Sequence, residues 1–185
     1  MKVYVNGQII NLNQKNSLGV GGEAEVIRYQ DKAVKIYHKG VLTTERIEKL
    51  SHFPDNLPDN VLAPQSLVRN KSGKVKGYIM DAVLGGEAFA MLSNKKFRRQ
   101  FPADKVNSLF INAYYTLKKL HSLGVIVGDY NDMNLLFLSG DKVNKTVYID
   151  ADSMQFDKYA CMVATEQYLD PKLYGVDLSL KPVFT

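Results

Sequence analysis

The spacing of apolar residues changes character part-way along the chain, and that change limits the fold more than any other feature. Up to about residue 83, short runs rich in β-formers are separated by tight-turn residues. KVYV and QII flank Asn6-Gly7, a strong hairpin signal. AEVIRY and AVKIY flank Asp31-Lys32 and predict a second hairpin. SLVRN and KVKGYIMDAV predict another pair, turning at Ser72-Gly73. TTERIEKL reads as a short helix that opens near Thr43 or Thr44, with Glu45 and Glu48 on one face. SHFPDNLPDNVLAP is a proline-rich connection. From about Asp104 to Leu120 the period becomes helical: Val106, Leu109, Phe110, Ala113, Leu117 and Leu120 share one face, with Pro102 before them and Gly124 after. Tyr114 and Tyr115 are expected in the core and at its boundary. LLFL and TVYI flank SGDKVNK and predict a further hairpin.

Composition narrows the function. The chain has 185 residues, 45% of them hydrophobic, enough for a sizeable core or two small lobes. Its single cysteine, Cys161, rules out an intrachain disulfide and any multi-cysteine zinc site. The three histidines lack the spacing of a catalytic zinc motif; His121 and Cys161 are expected to be structural. The formal charge of +5 is spread along the chain rather than gathered in a stripe, so no nucleic-acid partner is expected. No apolar run reaches the roughly 18 residues of a membrane span, and none is expected. The opening MKVYVNGQII turns polar too early for a signal peptide, so the expected location is cytoplasmic.

Four stretches carry candidate chemistry. In Gly19-Val20-Gly21-Gly22-Glu23, glycines between two strands can serve a hairpin loop, or can let backbone amides approach a phosphate. Lys35, in Ala33-Val34-Lys35-Ile36, either faces solvent or needs a phosphate and a carboxylate as partners, since an unpaired buried cation is costly. Glu48 is the better carboxylate candidate and Glu45 the fallback. In Val125-Ile126-Val127-Gly128-Asp129-Tyr130-Asn131-Asp132-Met133-Asn134, a polar loop separates two apolar runs. It is a surface turn, or a loop where Asp129 orients a hydroxyl and Asn134 ligates a hard cation. In Val147-Tyr148-Ile149-Asp150-Ala151-Asp152, Asp150 ends a β-rich run, where a carboxylate can hold a metal that bridges phosphates.

In this order the stretches resemble the protein kinase fold. Residues 19–26 resemble its glycine-rich loop, with Ala24 where a third glycine usually stands, and Ala33–Ile36 its lysine strand. Glu48 matches the glutamate of the first lobe's helix, and Tyr78–Val83 the strand and hinge beside adenine. Gly128-Asp129 and Asn134 resemble the catalytic loop, Asp150 the aspartate of the Asp-Phe-Gly motif, and Val163–Pro171 the substrate-side loop. The flavour is that of an atypical bacterial or phage serine/threonine kinase branch. The resemblance implies an α+β, two-lobed protein: a small antiparallel-sheet lobe over residues 1–83 that binds nucleotide, then a shortened, mainly helical lobe over 84–185. It implies ATP and magnesium, with Gly19, Gly21, Gly22 and Lys35 on the phosphates and Ala33 and Met80 at the cofactor. Glu48 then orients Lys35, Asn134 and Asp150 hold magnesium, and Asp129 accepts the proton of a protein serine or threonine hydroxyl. A pseudokinase that binds nucleotide or a partner without efficient transfer is the second class. A small-molecule kinase or nucleotidyl-transferring enzyme of the same fold is the third.

The departures from that pattern are specific. Val127-Gly128 stand where His-Arg is usual, Asn131 where many such kinases have a lysine, and Ala151-Asp152 where Phe-Gly is usual. Without the arginine, control by loop phosphorylation is not expected. The chain as given stops at Thr185, where the resemblance implies further helices. The expectation is a second lobe whose apolar surface, the tail VDLSLKPVF included, is covered by a second copy of the chain or by another partner.

Overall fold

A computed structural model describes residues 1–138, 145–161 and 163–176. The chain forms two compact units. The first comprises Met1–Asp55 and Ala63–Val83; the second comprises Asn56–Leu62 and the residues from Leu84 onward. The proline-rich connection thus supplies a segment to the second unit.

The first unit is a seven-stranded sheet in the order β2-β1-β6-β7-β5-β4-β3, antiparallel throughout. Its strands are β1 (Lys2–Val5), β2 (Gln8–Asn11), β3 (Ser17–Val20), β4 (Ala24–Tyr29), β5 (Lys32–Tyr37), β6 (Ser66–Arg69) and β7 (Val75–Asp81). Asn6 and Gly7 both take positive φ, 47° and 81°, which gives the β1–β2 turn a twist that matches its strands. The β4–β5 turn falls at Gln30-Asp31 rather than Asp31-Lys32. Gln30 takes φ 57°, and Lys32 pairs with Tyr29 in the ladder. Lys32 belongs in the strand because its Nζ reaches Asp81 Oδ1 at 2.6 Å and Gln65 Oε1 at 3.0 Å. The lysine bond, more than any other influence, holds the Asp81 carboxyl below its ordinary range. Val3, Ile10, Leu12, Ile27, Val34, Ile36 and Val68 form the core, each contributing on the order of 1.5–3 kcal/mol when fully buried. Helix α1 (Thr44–Ser51) starts where Thr43 Oγ1 accepts the Arg46 amide at 3.1 Å.

Among its described residues the second unit carries a small sheet beside its helices. It holds a three-stranded sheet of β8 (Gly86–Ala88), β9 (Leu135–Leu138) and β10 (Lys145–Tyr148), the four-residue helix α2 (Lys95–Arg98) and one long helix, α3 (Ala103–Ser122). The link between β9 and β10 lies outside the described residues, as does nearly all of the tail VDLSLKPVF. The expected α3 stripe is rotated. Leu109, Ala113, Thr116 and Leu120 are buried, whereas Phe110 is 55% exposed. Tyr114 and Tyr115, expected in and beside the core, are 58% and 62% exposed. The cause is polar. Asn112 Oδ1 accepts the Thr146 amide of β10 at 2.9 Å, and Thr116 Oγ1 accepts a bond from buried Asn60 at 2.7 Å. Thr146 Oγ1 and the Tyr148 hydroxyl donate to the α3 carbonyls of Leu109 and Ala113, each at 2.8 Å. Desolvation raises the Tyr148 pKa, so this hydroxyl stays a donor. Cys161 is fully buried, as expected.

Gly77 is demanded by packing. A Cβ there would stand 1.8 Å from the Lys35 carbonyl oxygen on the neighbouring strand. Gly77→Ala must therefore push β7 off β5, and we expect a loss of at least about 2 kcal/mol in denaturant unfolding. Alanine at exposed Gly73, also in the first unit, clashes with nothing within 4 Å but meets a φ of 81°, and should cost only about 1 kcal/mol.

Candidate functional site

In the first unit, Lys35 lies mid-strand on β5, opposite Val26 of β4 and Tyr78 of β7. Flanked on both sides by hydrogen-bonded strands, it is only 6% exposed. Its Nζ stands 5.6 Å from the Tyr37 ring centroid and 5.9 Å from that of Tyr78, distances at which ring faces attract a cation. Of the two environments its sequence allows, Lys35 has the buried one. The same register sets Ala33 opposite Met80, and both are buried. Glu45 and Glu48 are exposed on α1.

The glycine-rich stretch joins β3 to β4. Gly19 pairs with Val26, and the Gly21 amide bonds the Ala24 carbonyl at 2.8 Å. A Cβ on Gly19 or Gly22 would meet nothing within 4 Å, and one on Gly21 only the Ala24 carbonyl at 3.8 Å. The protein's own packing does not require glycine at these positions. Two residues hold the turn from behind. His38 donates its amide to Glu23 O at 2.8 Å and sets Nε2 3.0 Å from Gly21 O. Arg46 of α1 grips the Glu23 carboxylate with both terminal nitrogens, at 3.1 and 2.9 Å, and lies 5.4 Å from the Tyr37 ring. Neither contact is legible in local spacing, because Glu23 and Arg46 sit on different elements.

In the second unit, α3 ends at Ser122 and the chain returns through buried Val125 and Val127. Ile126 exchanges both main-chain bonds with Gln155 at 2.8 Å. Gly128 then takes φ 64°, and a Cβ on it would lie 2.4 Å from Cys161 Sγ. Asp129 follows, with both carboxylate oxygens engaged. Oδ1 accepts the Thr165 amide and the Thr165 hydroxyl, each at 2.8 Å. Oδ2 accepts Asn134 Nδ2 at 2.9 Å. A carboxylate can only accept, so this bond fixes the amide orientation of Asn134 and leaves its Oδ1 for another donor or a cation. Asn131 braces the turn from inside: Oδ1 accepts the Met133 and Asn134 amides at 2.9 Å, and Nδ2 donates to Thr165 Oγ1 at 3.0 Å. Its buried side chain is spent on these bonds.

Asp150 stands two residues beyond β10, in the left-handed region at φ 55°. Its carbonyl accepts the Ser153 amide at 3.1 Å and hydroxyl at 2.8 Å. The Ile149 amide bonds the Asn134 carbonyl at 3.0 Å, which ties the Asp150 turn to the Asn134 turn. Asp152 is buried. The structure thus joins Asp129 to Asn134 directly and Asn134 to Asp150 through one main-chain bond, whereas Lys35, Glu48 and the glycines belong to the first unit. Thr165 is the site residue that sequence reading passed over. It lies inside the quoted substrate-side stretch, but its partner is 36 positions away. Among the described residues no cluster of three or more His, Cys, Asp or Glu could hold a metal alone. The oxygens of Asn134 and Asp150 are of the kind magnesium takes when phosphates and water complete its shell.

No protein-family model matches the chain. It is 29% identical over 189 aligned residues to protein kinase YegI of Escherichia coli strain K12, across 94% of this chain and 28% of that protein. It is 30% identical over 171 residues to the protein of the same name from Escherichia coli O157:H7, across 84% of this chain and 26% of that protein. The chain therefore spans about a quarter of the length of these curated relatives. The relationship is kinase-like at this coarse level. No helix among the described residues is long and apolar enough to cross a membrane.

The Arg46–Glu23 pair yields a direct test. Arg46→Ala should release the Gly21–Glu23 turn and raise amide exchange there, for a stability loss of about 0.5–1 kcal/mol given the partial exposure of the pair. The double reversal Glu23→Arg with Arg46→Glu should restore much of the protection.

Proposed function

We propose that the chain carries the machinery of an ATP- and magnesium-dependent phosphotransferase acting on protein serine or threonine hydroxyls. The observation that carries this reading is the Asp129 node. One carboxylate, held by Asn134 and Thr165 on a loop braced by Asn131, is aimed by the fold rather than left to rotate in solvent. Such fixed geometry is what transfer to a hydroxyl needs, because catalysis of this kind is mostly positioning and charge stabilisation. The kinase-like relatives support the same class.

The residues divide the work as follows. Asp129 orients the acceptor hydroxyl and takes its proton. Thr165 holds Oδ1 of Asp129 and keeps it turned toward the substrate-side loop. Asn134 and Asp150 would hold magnesium through their side-chain oxygens, and the ion would supply charge neutralisation to the phosphates of ATP. Lys35, oriented by Glu48, meets phosphate oxygens. In the first unit, the amides around Gly19, Gly21 and Gly22 would take phosphate oxygens, which would give those glycines the purpose that internal packing does not. Ala33 and Met80 present an apolar surface to the base. Asn131, committed to the loop, supplies no positive charge to the transferred group; that observation favours a slow enzyme or a nucleotide-binding module as the second reading.

Transfer from labelled ATP with magnesium, to the protein itself and to generic protein acceptors, separates the two. Asp129→Asn should lower transfer by about 100-fold or more and leave nucleotide affinity within a few-fold. Asp150→Asn should weaken magnesium-dependent nucleotide binding as well. Near-normal transfer by Asp129→Asn removes the proton-acceptor role, and the absence of any calorimetric signal at millimolar ATP and magnesium removes the nucleotide reading altogether.

A further inference from the structure

The outward face of α3 is apolar, and the second unit covers only part of it, where Phe110 meets the Phe89 ring edge-on at 5.4 Å. Phe110, Ile111, Tyr114 and Tyr115 are each more than half exposed, Ile111 at 56%. Their spacing makes two parallel rows, Phe110–Tyr114 and Ile111–Tyr115, four residues apart along the helix. Rows of that spacing leave a groove into which the side-chain ridge of another helix packs. The stripe does not stop at α3. Phe110 also lines a cavity of about 390 Å³ with Phe89, Leu92, Val106 and Leu135, so the rows run into a recess. Its lining also includes Tyr130, Asn131 and Asp132, the residues that follow Asp129.

The charges around this apolar strip have one sign in excess. The two rows continue into exposed Lys118 and Lys119 at the C-terminal end of α3. Arg98 lines the cavity, and Lys95, Lys96 and Arg99 stand exposed beside it on and next to α2. None of these six cations has a carboxylate partner among the described residues. Acids stand among these cations as well: Asp104 in the first turn of α3, Asp132 on the cavity wall, and exposed Glu87 and Glu166, two residues before the lining residues Phe89 and Tyr168. A second copy of the chain fits badly here, because a symmetric contact would bring lysine pairs onto a surface of the same sign.

We propose that this face docks an amphipathic α-helix of a separate protein, one whose apolar stripe is flanked by aspartate and glutamate. A large apolar side chain enters the recess beside Phe110, the rest of the stripe packs along the two rows, and the acidic flanks meet Lys118, Lys119 and the α2 cations. The docked helix then leans on the segment next to Asp129 and stiffens it. The binding itself is independent of the phosphotransfer reading.

The test uses the 185-residue chain and two synthetic helical peptides of about five turns. They share one leucine stripe and differ only in glutamate or lysine at the flanks. Fluorescence anisotropy should show the glutamate peptide binding at least about tenfold more tightly, with an advantage that shrinks as salt is added. Ile111→Glu with Tyr114→Glu should weaken it more than about tenfold without moving the thermal midpoint, since both side chains are exposed. Lys118→Glu with Lys119→Glu should reduce the glutamate peptide's advantage while leaving the stripe intact. Equal binding of both peptides, no binding of either, or indifference to the variants overturns the proposal. So does a dimer in light scattering that Tyr114→Glu dissolves, which assigns the face to a second copy. A rise in peptide affinity on deleting residues 177–185 would assign it to the chain's own tail.

Discussion

The seam of buried hydrogen bonds between α3 and β10 sets the geometry of the second unit. Asn60 donates to Thr116 Oγ1 and to the Thr146 carbonyl at 2.7 and 2.8 Å, and Asn112 accepts the Thr146 amide. Each such bond contributes only about 1 kcal/mol net, but an orphaned partner inside the seam would cost about 1–3 kcal/mol. That asymmetry locks the rotation of α3 more firmly than apolar contacts alone could. With Asn112 and Thr116 turned inward, the 3.6-residue period must turn Phe110, Ile111, Tyr114 and Tyr115 outward. The same seam fixes β10, and β10 delivers Asp150 beside the Asn134 turn through the Ile149–Asn134 bond.

The loop after α3 turns this rigidity into a directed side chain. Asp129 is not held by its own neighbours alone. Thr165 reaches it from a segment that comes back 36 residues later, and Asn131 holds Thr165 in turn. These side chains form a linked set with Asn134, in which the Thr165 hydroxyl donates to Asp129 Oδ1 and accepts from Asn131, and Asn134 holds Asp129 Oδ2. Both Asp129 oxygens have partners within the set, so the carboxylate's direction is established before any ligand arrives. In the first unit the corresponding rigidity comes from strand register, which sets Lys35 between β4 and β7.

Hairpins and helix starts were legible because their signals are local. Asn6-Gly7 needs only its own φ angles, and Thr43 needs only an amide three residues on. The polar pattern of residues 128–134 with Asp150 was legible for a different reason, since residue type and order carry it. The rotation of α3 was not. An amphipathic pattern counts polar residues as outward-facing, and Asn112 and Thr116 point inward because β10 and Asn60 offer them partners from far along the chain. The Arg46–Glu23 pair and Thr165 escaped for the same reason: a long-range partner leaves no trace in spacing. In residues 84–185 the change of period marked the long helix, whereas β8 joined to the β9–β10 pair left no signal, because its partner strand lies about fifty residues on.

Gly128 shows how a departure from an expected pattern can be built into the packing rather than be a simple loss. The resemblance expects an arginine at this position. Here the backbone is left-handed at φ 64°, which disfavours any side chain, and a Cβ would collide with the sulfur of Cys161. Cys161 is itself fully buried, with its thiol donating to the Val163 carbonyl at 2.9 Å. The volume beside residue 128 is therefore occupied from the opposite side, by a residue four positions before Thr165. Restoring the arginine by a single substitution would displace Cys161 and disturb the segment that positions Thr165, and through it Asp129. The small residue, the cysteine and the threonine form one mechanical unit. Loop geometry that a charged pair could hold elsewhere is held in this chain by close packing and by neutral hydrogen bonds.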